Sequence, residues 1–201
     1  SLNSNPTVAW QTTTQTTGDQ LAILDQMGIQ KAHVWGGCIG VAHVTNLLKT
    51  AQDRFSAAVC QDPVGLDHTN SLDVFMAMFA PTLKLAREKG TEGVVQAALG
   101  NPMFVDQNNG GPFAKRIAGD PAFRERMQKM SADEYIRIIE GFAAGMWPNN
   151  PPFLVGNETW IRGFTVPMLI LPGNDRFHPT TVAYRLAGTA LNARCLEVDC
   201  R

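Results

Sequence analysis

Residues 31–48 read Lys-Ala-His-Val-Trp-Gly-Gly-Cys-Ile-Gly-Val-Ala-His-Val-Thr-Asn-Leu-Leu. Lys31 to Trp35 has the length and composition of a short strand, and it runs into Gly36 and Gly37. From Ile39 onward Val41, Val44, Leu47 and Leu48 recur at helical spacing. The stretch is therefore a strand, an abrupt turn and a helix, with Cys38 on the turn. A side chain in that place needs small neighbours two residues before and after, so that strand and helix can approach, and Gly36 and Gly40 meet that demand. The helix N-terminus favours an anion and so favours a thiolate at Cys38. The N–H of Ile39 would face an oxyanion formed on an attacked carbonyl. A phosphate-gripping glycine turn, or a cysteine that merely packs, is the competing reading.

Outward from this turn the chain alternates strands and helices. Thr17 with Gln20 fits a capping box for a helix carrying Leu21, Leu24 and Met27, with Gly28 as a left-handed C-terminal cap. Buried strands are expected near residues 31–36, 55–61, 166–171 and 194–199, and a helix over Thr180 to Ala190. Strands separated by helices indicate an α/β fold with a mostly parallel sheet and flanking helices. Between them, helical segments at Leu72 to Lys89, Gly93 to Leu99, Ala122 to Met130 and Ala132 to Ala144 are divided by Asn-Pro, Gly-Gly and Asp-Pro breakers. The expected organisation is a core of 1–71 and 160–201 with a helical cap or lid inserted at 72–159.

Composition limits what such a fold can do. The 201 residues are 44% hydrophobic and 17% charged, with 17 Lys+Arg against 18 Asp+Glu, which describes an ordinary globular chain and excludes disorder. Balanced charge without a basic cluster removes the footprint of nucleic-acid or anionic-membrane binding. The expected partner is a small-molecule substrate, with no nucleic acid and no membrane. No apolar run approaches the ~18 residues of a spanning helix, and no leader is recognisable. The four cysteines, Cys38, Cys60, Cys195 and Cys200, form no disulfide framework and no C-x-x-C pair, which points to free thiols and a cytoplasmic setting.

The Gly36-Gly37-Cys38-Ile39-Gly40 turn and the stretch Leu169-Ile170-Leu171-Pro172-Gly173-Asn174-Asp175 resemble the α/β-hydrolase superfamily, with a cysteine where most members carry serine, as in dienelactone-hydrolase-like enzymes. The resemblance covers nearly the whole chain. It implies that Cys38 is the nucleophile of the elbow and that Asp175, after the strand following the cap, is the acid that orients a histidine. Asp62, after the preceding strand, is the fallback acid. The family's histidine follows the last strand and is expected beyond Arg201; His178 is a candidate base or substrate contact. His43, His33 and His68 read as packing, strand and loop residues. The loop bearing the second oxyanion N–H is expected before Ser1. Four strands fall short of the family's sheet, so the chain is expected to be part of a longer polypeptide, or to be completed as a homo-oligomer or by a complementing chain. No cofactor and no metal are implied.

The activity implied is hydrolysis of an ester, lactone or related acyl substrate through an acyl-enzyme. Phe75, Met76, Met78, Phe79, Phe142, Met146 and Trp147 would line the cap side, or simply pack its helices. A non-catalytic hydrolase-like binding or scaffold protein, and a redox-sensing thiol protein, are the alternatives.

Overall fold

The computed structural model describes residues 13–103, 109–147, 153–154 and 156–196. The described residues divide into two compact units, one of them Asp73–Gly145 and the other built from the segments on either side of it.

The discontinuous unit holds the sheet. Strands β1 (Ala32–Gly37), β2 (Phe55–Gln61), β3 (Met168–Leu171) and β4 (Ala193–Cys195) lie side by side in that order, every neighbouring pair parallel. Gly36 stands beside Cys60, Cys60 beside Ile170, and Ile170 beside Cys195. Alternate residues share a face of a strand, so Ala58, Cys60, Met168 and Ile170 are buried together. Helix α2 (Gly40–Ala51) adds Val41, Val44, Leu47 and Leu48 to this core, and α9 (Thr180–Thr189) adds Val182, Ala183 and Leu186. Val44, Leu48, Ile170 and Leu186 are at most 1% exposed, and burial of each is worth about 2 kcal/mol. Burial also pushes the Cys60 thiol up to about 12, so that cysteine is an inert core residue.

The strand boundaries depart from the expected ones for local reasons. β3 begins at Met168 rather than Val166 because Pro167 has no N–H to donate, although its carbonyl accepts from the Ala58 N–H at 2.9 Å. β4 begins at Ala193 and ends at Cys195, while residues 197–199 of the expected strand lie outside the described residues.

Helix α1 (Thr13–Gln26) starts earlier than the proposed capping box. Thr17 is inside the helix, 2% exposed, and its hydroxyl accepts from Asn46 Nδ2 on α2 at 2.8 Å. The threonine ties two helices together and does not cap one. Gly28 does close the helix in the left-handed region at φ +69°, with the Ile29 N–H returning to the Leu24 carbonyl at 2.8 Å. A short helix, α8 (Glu158–Arg162), capped by Asn157 accepting from the Trp160 N–H at 3.0 Å, completes this unit.

The Asp73–Gly145 unit is helical. Helix α3 (Leu72–Met76) passes through a 3-10 turn into α4 (Ala80–Gly100), followed by α5 (Ala114–Gly119), α6 (Pro121–Lys129) and α7 (Ala132–Met146). The two separate segments expected before and after residue 90 are one element kinked at Gly90, whose φ of +65° and ψ of −171° interrupt the helix. Val94, Val95, Ala98, Ile117, Phe123, Met127, Tyr135 and Ile139 form its interior, each at most 1% exposed. Phe75, Phe79 and Phe142 pack ring against ring, at centroid distances of 6.3 and 6.0 Å. Phe75 and Phe79 are 3% and 1% exposed, and so are packed core side chains and not an open lining. Met146 and Trp147 are buried and fall in the sheet-bearing unit. Among the described residues no helix is long and apolar enough to cross a membrane.

Candidate active site

Cys38 occupies the turn between β1 and α2. Its φ is +54°, a left-handed conformation that a residue with a side chain adopts at a cost of order 1–3 kcal/mol. The turn is held there by the Cys38 N–H donating to the Gln61 carbonyl at the end of β2, 3.0 Å away, and by the Val41 N–H donating back to the Cys38 carbonyl at 3.1 Å. The thiol is left exposed at the start of α2. Gly36 is required: a Cβ there would run into the Gly40 carbonyl group and lie 2.8 Å from Val44 Cγ2. Gly40 is not under the same demand, since a Cβ on it would meet nothing within 4 Å. Gly37 would place a Cβ at an ordinary 3.6 Å from the Trp35 ring. Crowding at the elbow thus rests on one glycine. Ile39, with φ −55° and ψ −29°, leads into α2, and its N–H has no acceptor among the described residues. It is an available donor beside the sulfur.

Beyond β3 the chain makes a tight turn over Gly173–His178. Asp175 Oδ1 accepts from the N–H groups of Phe177 at 2.8 Å and His178 at 3.0 Å, which folds the loop back on the aspartate. The same fold brings the His178 ring onto the carboxylate, with Nδ1 at 2.8 Å from both Oδ1 and Oδ2. Nδ1 facing a carboxylate is the protonated nitrogen, which leaves Nε2 as the acceptor of the neutral ring. Nε2 is buried and has no hydrogen-bond partner among the described residues. The Cys38 thiol is nevertheless close enough to be the largest influence on the imidazole, though it does not meet full hydrogen-bond geometry to Nε2. The thiol, together with Asp175, pushes the His178 pKa up to about 9 against the opposing effect of burial. Burial works to raise the Asp175 carboxyl too, but the His178 ring and the Phe177 N–H hold it below its ordinary value.

Cys38, His178 and Asp175 are therefore one cluster. Among the described residues the other candidates make no bond to the imidazole, although Asp62 borders the cluster. Asp62 also has a left-handed backbone, φ +48°, and its N–H donates to the Leu171 carbonyl at 2.9 Å. Its Oδ2 accepts from Gln61 Nε2 at 3.3 Å, and the imidazole of His178 is bonded to Asp175 and not to Asp62. His43 is half-buried on α2, where burial lowers its pKa. His33 Nδ1 meets Ser56 Oγ at 3.1 Å at the surface, and His68 Nδ1 stands 3.8 Å from Asp67. Among the described residues no three His, Cys, Asp or Glu side chains are grouped to hold a metal ion.

Sequence reasoning passed over Thr180 as part of this site, reading it only as the start of a helix. Thr180 Oγ1 donates to the Gly173 carbonyl at 2.6 Å, closing the loop around His178. The Asp-x-x-His spacing was the available signal, because an aspartate capping the N–H groups two and three residues on must bring that third residue beside it.

No family model and no curated protein sequence matches the chain. Solved structures do. The 2-hydroxy-6-oxo-6-phenylhexa-2,4-dienoate hydrolase of Rhodococcus sp. strain RHA1 is similar with a TM-score of 0.57 at 20% identity, over 98% of this chain and 64% of its own. The enol-lactonase of Burkholderia xenovorans LB400 gives 0.52 at 21% identity, over 94% and 65%. A serine hydrolase of Cycloclasticus zankles gives 0.52 at 19% identity, over 92% and 61%. The chain thus spans less than two thirds of the length of these proteins. With its parallel sheet of four strands, its flanking helices and this likeness, the chain has part of the α/β-hydrolase fold.

Proposed function

We propose that the protein is a hydrolase of esters, lactones or related acyl compounds that works through Cys38, His178 and Asp175. The observation that carries this reading is the His178 imidazole held by Asp175 on one nitrogen with its other nitrogen buried on the side of Cys38. In this reading the proton of the Cys38 thiol already rests on His178 Nε2, and Cys38 Sγ attacks the substrate carbonyl carbon. The carbonyl oxygen becomes an oxyanion facing the Ile39 N–H. As the intermediate collapses, the carbon–oxygen bond to the leaving group breaks and the His178 proton goes to the departing oxygen, giving a thioester and an alcohol. Water, deprotonated by the now neutral His178, attacks the thioester; the carbon–sulfur bond breaks and the carboxylic acid leaves. Asp175 holds the ring in its tautomer and stabilises the imidazolium throughout. The similarity of the fold to proteins described as hydrolases and as an enol-lactonase supports the reaction class.

The test is intact-mass measurement after brief exposure to p-nitrophenyl acetate. A single acetyl adduct that decays with time, is absent in Cys38→Ala, and persists far longer in His178→Gln is the expected result. Full esterase activity in Cys38→Ala would overturn the assignment, and a permanent adduct on the native protein would make it a binding protein with a reactive thiol.

A further inference from the structure

The sequence after β3, Pro172-Gly173-Asn174-Asp175-Arg176-Phe177-His178-Pro179-Thr180, has to bring a histidine back over an aspartate three residues earlier. Hydrogen bonds from Phe177 and His178 to Asp175 supply the pull, but closure also needs space on the inside of the turn. Gly173 occupies that inside. A Cβ built on it would lie 2.5 Å from His178 Cβ and 2.8 Å from the His178 carbonyl oxygen. Neither atom is the loose end of a flexible side chain. His178 cannot retreat without loosening its N–H and Nδ1 from Asp175. Gly173 cannot retreat either, because its carbonyl is held by Thr180 Oγ1 at 2.6 Å, and Asp62 Oδ1 would stand 3.4 Å from the added carbon on another side. The φ of Gly173 is not in the left-handed region, so the demand for glycine is one of room and not of backbone torsion.

We propose that Gly173, clasped through its carbonyl by Thr180, is the positioning residue for His178: the missing side chain lets the loop close and seat the imidazole on Asp175 with Nε2 directed toward Cys38. Gly173 touches no substrate in this account and acts only through the histidine. The inference builds on the role given to His178 above, but its readout does not depend on turnover.

The experiment is an NMR titration of the His178 ring in the full chain, with its resonance identified by its loss in His178→Gln. In the native protein the midpoint is expected at about 9. Gly173→Ala is expected to bring it back close to the ordinary 6.5, with the circular dichroism spectrum and thermal midpoint showing a folded protein. Thr180→Val, which removes the clasp without adding bulk, is expected to lower the midpoint part of the way; it decides the matter should Gly173→Ala fail to fold. Gly188→Ala, whose added carbon on α9 meets nothing within 4 Å, is the control and is expected to leave the midpoint unchanged. A midpoint still near 9 in folded Gly173→Ala, or in Thr180→Val when the former does not fold, would overturn the proposal. So would an equal drop in Gly188→Ala. If the midpoint falls in Gly173→Ala while the native protein never forms an acyl adduct, the positioning role stands and the proposed hydrolase activity does not.

Discussion

Replacing Cys38 by alanine separates the two groups that set the state of His178. Cys38 is exposed and stands outside the core, so the change should leave the fold intact. The thiol is the largest cause of the rise in His178 from 6.5 to about 9, with Asp175 contributing the rest against burial. A rise of that size corresponds to about 3 kcal/mol of preference for the protonated ring, and the sulfur is its largest single cause. Because the folded value lies above the unfolded one, the contribution to stability is fully present below about pH 6.5 and is lost as pH rises through about 9. Native protein should therefore lose stability across that window, and Cys38→Ala should lose distinctly less, with its own window moved down toward 6.5. Urea denaturation at intervals from pH 6 to pH 9.5 measures the slopes, and NMR titration of the ring measures the midpoints. If His178 keeps its high midpoint in Cys38→Ala, Asp175 alone sets it and the sulfur is not beside the ring. A native midpoint near 6.5 would refute the whole cluster.

Three further outcomes follow from other parts of the molecule. His43 is lowered by burial, and its Nδ1 is buried with no hydrogen-bond partner among the described residues. Below pH 6.5 the unfolded chain binds the proton more readily, so stability should fall on acidification, and His43→Gln should flatten that fall in denaturation curves taken between pH 7 and pH 4.5. Thr17→Val leaves Asn46 Nδ2 buried without its acceptor and should cost about 1–3 kcal/mol in urea unfolding; an unchanged midpoint would mean that water reaches the amide. Asn157→Ala removes the cap accepting from the Trp160 N–H and should cost about 1 kcal/mol, read as a fall of a few degrees in thermal midpoint.

How far the sequence could be read depended on whether a signal was carried by a run of residues or by one contact. β2 was legible because Phe55 to Cys60 is a continuous run rich in Phe, Ala and Val, which places Phe55, Ala58 and Cys60 in a single core, and Gln61-Asp62-Pro63 ends it. The Cys38 turn was legible because a strand, glycines and a helical repeat coincide within a few positions. Thr17 misled because a threonine followed by glutamine at three residues has the form of a cap, whereas its hydroxyl is used by Asn46, 29 residues away, and nothing local reveals that. Helix α5 was missed because six residues, Ala114–Gly119, are too few to display a period.

The histidine illustrates the same limit at the site itself. The α/β-hydrolase resemblance directs attention to a base after the last strand, and so away from a residue three positions from the acid. Yet His178 is the histidine that meets a carboxylate with its ring at 2.8 Å, while His43, His33 and His68 do not. Its place is decided by three local interactions: Asp175 capping the N–H groups of Phe177 and His178, Thr180 holding the Gly173 carbonyl, and the room left by Gly173. Each pair spans no more than seven residues, so the chemistry was written in one short stretch. What the sequence did not display was direction. The same Asp-x-x-His could turn its imidazole outward, and only the approach of β1 to β2, which sets Cys38 through the Gln61 carbonyl, determines that the inward ring finds a thiol. The loop therefore supplies an oriented acid and base, and the sheet supplies the nucleophile. A substitution in the loop should change the protonation of His178 without unfolding the sheet, whereas Gly36→Ala, which drives a carbon into the Gly40 carbonyl group, should displace Cys38 and leave the Asp175–His178 pair in place. The expected signature of Gly36→Ala is a His178 midpoint reduced to the level of Cys38→Ala, with the pair to Asp175 retained. A Gly36→Ala protein that keeps the native midpoint would show that the elbow does not position the sulfur.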